Sequence, residues 1–314
     1  MVQFFVKRTS TLLVSVLLAS FAVFMIPYFT PGDPALKIIR SRVAGDVVDE
    51  SIIQGLRQSL GLDDPLAVQY VRWLGDFLSG DMGLSFVTRT PVRDQVLPAL
   101  AVTLSLVVMA LVLAVLVSLP LGILAGLRPG SLADKAITTG TQMLIAMPEY
   151  WVAPVLVLVF ALKLSLLPTA GWNDLSSAVL PALTLALRPI SFFTSAVRSG
   201  IIDAAAADHV PAARARGLSR GQAIMLHVVP NGLVPLSALS AVWFAGLLGG
   251  SVIVEVIFAV PGMGRLLFDA VMNSDIPLAQ GGVVVVVVAL AVMVTTLADF
   301  VHRYLSRTVG GSLA

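Results

Sequence analysis

Six stretches nearly empty of charge, each long enough to cross a bilayer, constrain this chain more than any other feature. Crossing about 30 Å of hydrocarbon takes roughly 20 apolar residues. Residues 9–32, 95–127, 221–254 and 276–298 contain no Asp, Glu, Lys or Arg. Residues 136–162 are interrupted only by Glu149, and residues 175–197 only by Arg188. Composition agrees: 57% of the 314 residues are hydrophobic and 12% charged, where a soluble domain carries about 25% charge. An ordinary soluble enzyme, a disordered chain and a coiled coil are excluded. The net charge of +2, from 20 basic and 18 acidic residues, leaves no nucleic-acid footprint. The absence of cysteine removes disulfides, thiolate metal sites and Cys nucleophiles. Three scattered histidines do not make a metal cage.

The first stretch begins with Lys7-Arg8, as a signal peptide would, but no small-residue cleavage site follows it. A retained helix is expected. Placing the N-terminus inside puts ten basic residues (Lys7, Arg8, Arg128, Lys135, Arg198, Arg214, Arg216, Arg220, Arg303, Arg307) on that side. They face four acids, Asp134, Asp203, Asp208 and Asp299. This is the positive-inside bias, and an even helix count puts the C-terminus inside too. The expected fold is an all-α polytopic membrane protein with six transmembrane helices and both termini cytoplasmic.

Residues 31–94, with nine acids and seven bases, are too many for a simple loop. Over residues 49–60 the residues Ile52, Ile53, Leu56 and Leu60 share a helical face, and Gly61 is placed to end that helix. A second helix is expected from Asp64-Pro65, with Val68, Val71, Trp73 and Leu74 as its apolar residues, and Gly75, Gly80 and Gly83 breaking the chain after it. This makes a small helical extracytoplasmic insertion, too small to fold well alone. The domain reading is residues 1–30 as N-terminus and first helix, 31–94 as cap, and 95–314 as membrane core, with a large inside loop at 199–231.

That loop favours helix at residues 204–207 and 212–215. Gly217 is a natural stop, and Ser219 is placed to cap a following helix that ends near Pro230. Two short helices joined by a tight turn are expected. An Ala-rich helix suits a groove on a partner, and a solvated amphipathic linker is the plainer alternative. The segment Asp208-His209-Val210-Pro211-Ala212-Ala213-Arg214-Ala215-Arg216-Gly217-Leu218-Ser219 resembles the coupling loop, or EAA motif, of ABC importer permeases. It is closest to the peptide-permease subfamily. Further blocks agree in order and spacing: Thr30-Pro31-Gly32-Asp33-Pro34, Leu60-Gly61-Leu62-Asp63-Asp64-Pro65-Leu66, Gln69-Tyr70-Val71-Arg72-Trp73-Leu74, Gly80-Asp81-Met82-Gly83, Leu180-Pro181-Ala182-Leu183, Gly249-Gly250-Ser251-Val252-Ile253-Val254-Glu255 and Phe258-Ala259-Val260-Pro261-Gly262-Met263-Gly264. The chain resembles the first permease subunit of a dipeptide/oligopeptide ABC importer.

The resemblance implies a pore-forming subunit in a bacterial inner membrane that is not itself an enzyme. A second homologous permease, two ATPase subunits that bind ATP and Mg, and an extracytoplasmic substrate-binding protein would complete it. Asp208, Ala212, Ala213, Arg214, Arg216, Gly217 and Ser219 would then form the ATPase-coupling surface, and the 31–94 cap would face the binding protein. Pro211 departs from the pattern, so the coupling helix either starts near it or kinks there. His227 departs too, and no partner for it lies nearby in sequence. Relatives of this kind carry dipeptides, oligopeptides, nickel, glutathione or haem-like compounds, and peptide is the expected cargo.

Glu149 and Arg188 are pathway candidates because ionisable residues in membrane helices are functional by default. A structural pair or a snorkelling Arg188 is the alternative. Pro148 and Pro189, beside them, are placed to bend their helices. Gly246, Gly249 and Gly250 suit a close helix contact, within the subunit or with a second permease. Tyr150 and Trp151 are expected to pack in the bundle. An ATP-independent secondary transporter or channel remains the rival reading; it has no use for the coupling loop. No P-loop or protease motif occurs.

Overall fold

A computed structural model describes residues 2–29, 54–55, 57–58 and 61–310. The Thr30-to-Pro34 block and most of the helix expected over residues 49–60 lie outside these. The described residues are almost wholly helical, with a single antiparallel bridge between Leu84 and Pro91. In chain order come α1 (Val2–Phe24), a turn at Ile26–Phe29, α2 (Leu66–Ser79), α3 (Val92–Leu127), α4 (Leu132–Ala146) and α5 (Glu149–Leu156), which runs on through a wide turn at Val157–Lys163. Then follow α6 (Leu175–Ala206), α7 (His209–Ala215) and α8 (Arg220–Ala223), which runs on through a wide turn at Ile224–Val228 and a turn at Val229–Gly232. The last are α9 (Val234–Gly250), α10 (Val252–Ile257), α11 (Met263–Met272) and α12 (Ile276–Gly310).

Five helical stretches are long and apolar enough to cross a membrane: Leu12–Phe29, Val92–Leu127, Leu175–Ala206, Arg220–Gly250 and Ile276–Met293. The sixth is broken. The α4 and α5 segments meet at 102°, so the span count is six only if that pair counts as one. The break has a local cause. Proline disfavours the helical region for the residue before it, and Met147 is extended at φ −83°, ψ 117°. Pro181 and Pro189 remain inside α6 without ending it. The chain thus breaks at Pro148 and runs on as helix through Pro189.

The helix that Ser219 opens does not end near Pro230. Helix continues from Arg220 to Gly250. A π-type turn at Ile224–Val228 makes room for the proline: the Val229 N–H reaches back to Ile224 O, so the ladder passes the missing Pro230 donor without a clash.

The contacts divide the chain into two compact units, residues 1–101 with 265–292 and residues 102–264 with 293–314. In the first unit α2 lies along α1. Ser20 Oγ and Tyr70 OH are 2.8 Å apart, Tyr70 meets Phe21 edge-on at 5.3 Å, and Phe24 meets Trp73 at 5.7 Å. Gln69 Nε2 donates to the carbonyls of Leu62 and Asp64 at 2.9 and 2.8 Å, and Tyr28 OH donates to its Oε1. The buried face of α2 is thus its Gln69–Tyr70–Trp73–Phe77 side. Val68 and Val71, expected to be packed, are 47% and 66% exposed, because the aromatic side gains more contact against α1. Gly75 sits inside α2 rather than breaking it, and Gly80 ends it at φ 90°. Asp275 is buried ahead of α12 and accepts from Ser85 Oγ, from the N–H groups of Phe86 and Val87, and from the Leu278 N–H.

In the second unit α6 is the most buried helix, with Leu185, Ile190, Phe193, Val197 and Ile201 in its core face. In lipid such contacts form by packing rather than by water exclusion, so small residues set the approach. A Cβ on Gly122 would stand 2.6 Å from Val197, and one on Gly126 would stand 2.7 Å from Ile201. Tyr150 and Trp151 are 62% and 55% exposed. Their expected packing inside the bundle does not occur in this chain, because Val152 and Ala153 take the buried face of α5.

Candidate coupling surface

The loop after α6 forms two short helices and a tight turn. Asp208 precedes α7 in a helical conformation but makes no side-chain cap. Pro211 is the third residue of α7, inside its first turn, where a missing N–H costs nothing. The helix expected near Pro211 therefore starts at His209, with Pro211 inside its first turn. It ends in a reversal at Gly217, whose φ of +99° favours glycine over L residues. The Gly217 N–H donates to Arg214 O at 3.0 Å, and the Leu218 N–H donates to Ala213 O at 3.3 Å. Ser219 then opens α8 with a reciprocal box: its Oγ accepts from the Gln222 N–H at 3.3 Å, and its own N–H donates to Gln222 Oε1 at 3.0 Å.

Asp208, Ala212, Arg214, Arg216, Gly217 and Ser219 are exposed, while Ala213 is buried. The two adjacent alanines face opposite ways: Ala213 supports the surface from within the chain. His209 and His227 meet ring to ring at 6.0 Å and fasten α7 to the wide turn after α8. Sequence separation hid this pairing. Behind the loop, a Cβ on Gly200 would fall 2.2 Å from Gly232 O, and one on Gly232 would fall 2.7 Å from the Ile201 side chain. The chain entering and the chain leaving the loop thus touch backbone to backbone.

Two ion pairs join helices of this unit. Arg198 of α6 grips Asp134 of α4 with two hydrogen bonds, 2.5 Å from Nε and 2.8 Å from Nη2. Asp134 also accepts from the Gly130 N–H at 2.8 Å. Glu149 and Arg188 do come together, at 3.8 Å, with Glu149 mostly buried and Arg188 half exposed.

A third arrangement had no counterpart in the sequence reading. Glu255 is fully buried and accepts at Oε1 from Thr103 Oγ1 and from Ser251 Oγ, both at 2.7 Å. Thr103 Oγ1 in turn accepts from the Met263 N–H at 2.7 Å. A Cβ on Gly262 would stand 2.5 Å from the Glu255 carboxyl. The only sequence signal was a carboxylate six residues before a Pro-Gly-x-Gly turn. Elsewhere, among the described residues, Gly246, Gly249 and Gly250 have nothing within 4 Å of a would-be Cβ.

A membrane bundle of broken and continuous spans carrying an exposed helix–turn–helix defines the class of an ABC transporter permease. The sequence matches the binding-protein-dependent transport system inner membrane component over residues 118–311 and the N-terminal region of such components over residues 1–107. The chain belongs to this family. It is 31% identical over 306 residues to the metal-staphylopine import system permease protein CntB of Staphylococcus aureus, covering 98% of this chain and 97% of that one. It is 32% identical over 304 residues to the probable peptide ABC transporter permease protein y4tP of Sinorhizobium fredii, covering 94% and 95%. It is 33% identical over 280 residues to the glutathione transport system permease protein GsiC of Escherichia coli, covering 89% and 90%. Among solved structures it resembles an amino acid ABC transporter (TM-score 0.51, 16% identity, 68% of this chain and 94% of that one). It also resembles the MetNI methionine ABC transporter in inward-facing form (TM-score 0.50, 17% identity, 67% and 94%). The chain is therefore a multi-pass permease of an ABC importer, and the rival reading of an ATP-independent transporter is set aside. Relatives of this kind are permease subunits rather than enzymes.

Proposed function

We propose that this chain forms half of a peptide translocation pathway in a bacterial inner membrane, its cycle driven by ATPase subunits that dock on the α7–α8 surface. The exposed Ala212, Arg214, Arg216, Gly217 and Ser219, backed by the Gly200–Gly232 contact, carry the reading. A surface fixed backbone to backbone on α6 transmits a push into the bundle instead of absorbing it. In this orientation the termini and α7–α8 are cytoplasmic, and α2 and the 84–91 turn lie outside, toward a substrate-binding protein. Gly246, Gly249 and Gly250, open on this chain, suit a close approach by a second permease. The Glu149–Arg188 pair offers both signs to a zwitterion. Peptide is the favoured cargo because a peptide permease and a glutathione permease stand among the relatives.

The chain has no cysteine, so single cysteines report cleanly. Arg214→Cys, in complex purified from the native membrane, is expected to cross-link to an ATPase subunit identified by mass spectrometry. A cross-link confined to lipid or to the chain itself would reject the docking assignment. ATP-driven uptake of a dipeptide by the reconstituted complex tests the cargo.

A further inference from the structure

The first unit holds a cleft of about 310 Å³, within the size range of small-ligand sites. Phe24, Tyr28, Trp73 and Phe86 form much of its wall, and Asp76 and Gln280 stand among its polar lining residues. Most polar groups around it are already used. Gln69 spends its amide on Leu62, Asp64 and Tyr28. Arg72 is neutralised by Asp64 at 2.7 Å. Gln280 Nε2 donates to the carbonyls of Val23 and Phe24 at 3.2 and 3.4 Å. Among the described residues nothing engages the Asp76 carboxylate or donates to Gln280 Oε1. What the cleft leaves open is therefore two acceptors, one of them charged, beside aromatic faces. Acceptors without donors reject a carboxylate or phosphate. A carboxylate next to aromatic rings suits an ammonium group with an apolar neighbour, the rings adding cation–π attraction.

From this geometry we infer that the cleft between α1, α2 and the start of α12 is a binding site for a primary ammonium group carried on a partly apolar ligand, with Asp76 as its counter-ion. The inference deepens the importer reading and rests on its placement of α2 outside the membrane. Two sources offer this chemistry: the free N-terminus of a peptide and the headgroup of phosphatidylethanolamine. Either meets the site at the outer face.

The test uses the assembled importer, without binding protein, in nanodiscs. The probe is the dipeptide Phe-Ala, with N-acetyl-Phe-Ala as its uncharged-amine control, followed by equilibrium dialysis. In discs of phosphatidylglycerol alone, wild type is expected to hold Phe-Ala at least tenfold more tightly than the acetylated control. Asp76→Asn is expected to lose at least tenfold, and Asp76→Glu to retain binding. Asp76 is exposed and its carboxylate makes no hydrogen bond or ion pair among the described residues, so these variants are expected to assemble normally, which the co-purified subunits verify. In discs containing phosphatidylethanolamine, native mass spectrometry distinguishes the sources. Retention of that lipid by wild type but not by Asp76→Asn, with loss of Phe-Ala binding, assigns the site to lipid and still supports it. Equal binding by wild type and Asp76→Asn overturns the inference, as does failure of wild type to hold either amine. Uptake driven by ATP is measured separately on the same preparations. Its absence beside Asp76-dependent binding rejects the importer reading and leaves the cleft assigned.

Discussion

Single buried polar residues hold the irregular parts of this molecule. Glu255 collects two hydroxyls, one of which also holds the Met263 N–H. Removing a buried acceptor strands its donors at about 1–3 kcal/mol each. Glu255→Ala is expected to lower the midpoint of thermal unfolding in detergent, and Glu255→Gln, which keeps an acceptor, to lower it much less. Equal loss in both would mean that the charge, not the hydrogen bonds, matters. Gly262→Ala places a methyl 2.5 Å from the same carboxyl and is expected to cost roughly 1–3 kcal/mol through forced displacement. The Asp134–Arg198 pair behaves differently. Breaking such a pair on one side leaves the other charge unpaired, so Arg198→Met is expected to destabilise the fold, by less than in a fully buried pair because Arg198 stays about a third exposed. The double variant Asp134→Asn/Arg198→Met is expected to recover most of that loss, and unfolding of the purified complex reads both.

Elements are joined through caps and close approaches that can be altered one at a time. Gly217 at φ +99° sets the angle between α7 and α8. Gly217→Val is expected to cost about 1–2 kcal/mol locally and to lower uptake more than assembly, because the helices remain but their angle changes. Uptake matching wild type at normal expression would show that the turn geometry is not transmitted. Gly200→Leu, driven into Gly232 O at 2.2 Å, is expected to abolish assembly of the complex. The start of α6 carries its own pH response. Asp174 accepts from Ser176 Oγ and from the Ser177 N–H at 2.6 and 2.9 Å, and these bonds, the hydroxyl's foremost, hold its carboxyl below the ordinary value. Its cap is therefore fully present above about pH 4, where the unfolded carboxyl is ionised. It is lost as the pH falls through the lowered folded value, and Asp174→Asn is expected to flatten that part of the stability profile.

For the whole molecule, orientation is the property from which partner placement follows. In the proposed orientation, with the positive charge inside, α7–α8 face the cytoplasm and the 164–174 connection lies outside. In this cysteine-free chain, Ala205→Cys is expected to react with an impermeant maleimide only after the membrane is opened. Leu166→Cys, 68% exposed in the native chain, is expected to react in intact cells. The reverse pattern would invert the assignment of partners to faces.

The spans, the capping box at Ser219 and the reversal at Gly217 were legible in the chain because each is set by local chemistry: charge-free length, a hydroxyl three residues before its partner, a residue that tolerates positive φ. The resemblance carried by the Asp208-to-Ser219 segment likewise needed only residue order. The break at Pro148 was half legible, since a proline beside an ionisable residue also stands at Pro189, where α6 runs on unbroken. The pairings were not legible. Asp134 with Arg198, Thr103 with Glu255, His209 with His227 and Gly200 with Gly232 are separated by 64, 152, 18 and 32 positions (198−134, 255−103, 227−209, 232−200). No periodicity links residues on different helices. Which face of α2 is buried also depended on α1, because both its faces are apolar and only the aromatic one fits against Phe21 and Phe24. The sequence by itself determined that this chain crosses a membrane and where it turns. Contacts between distant helices decided which side chains meet, since only the folded backbone brings them within hydrogen-bond reach.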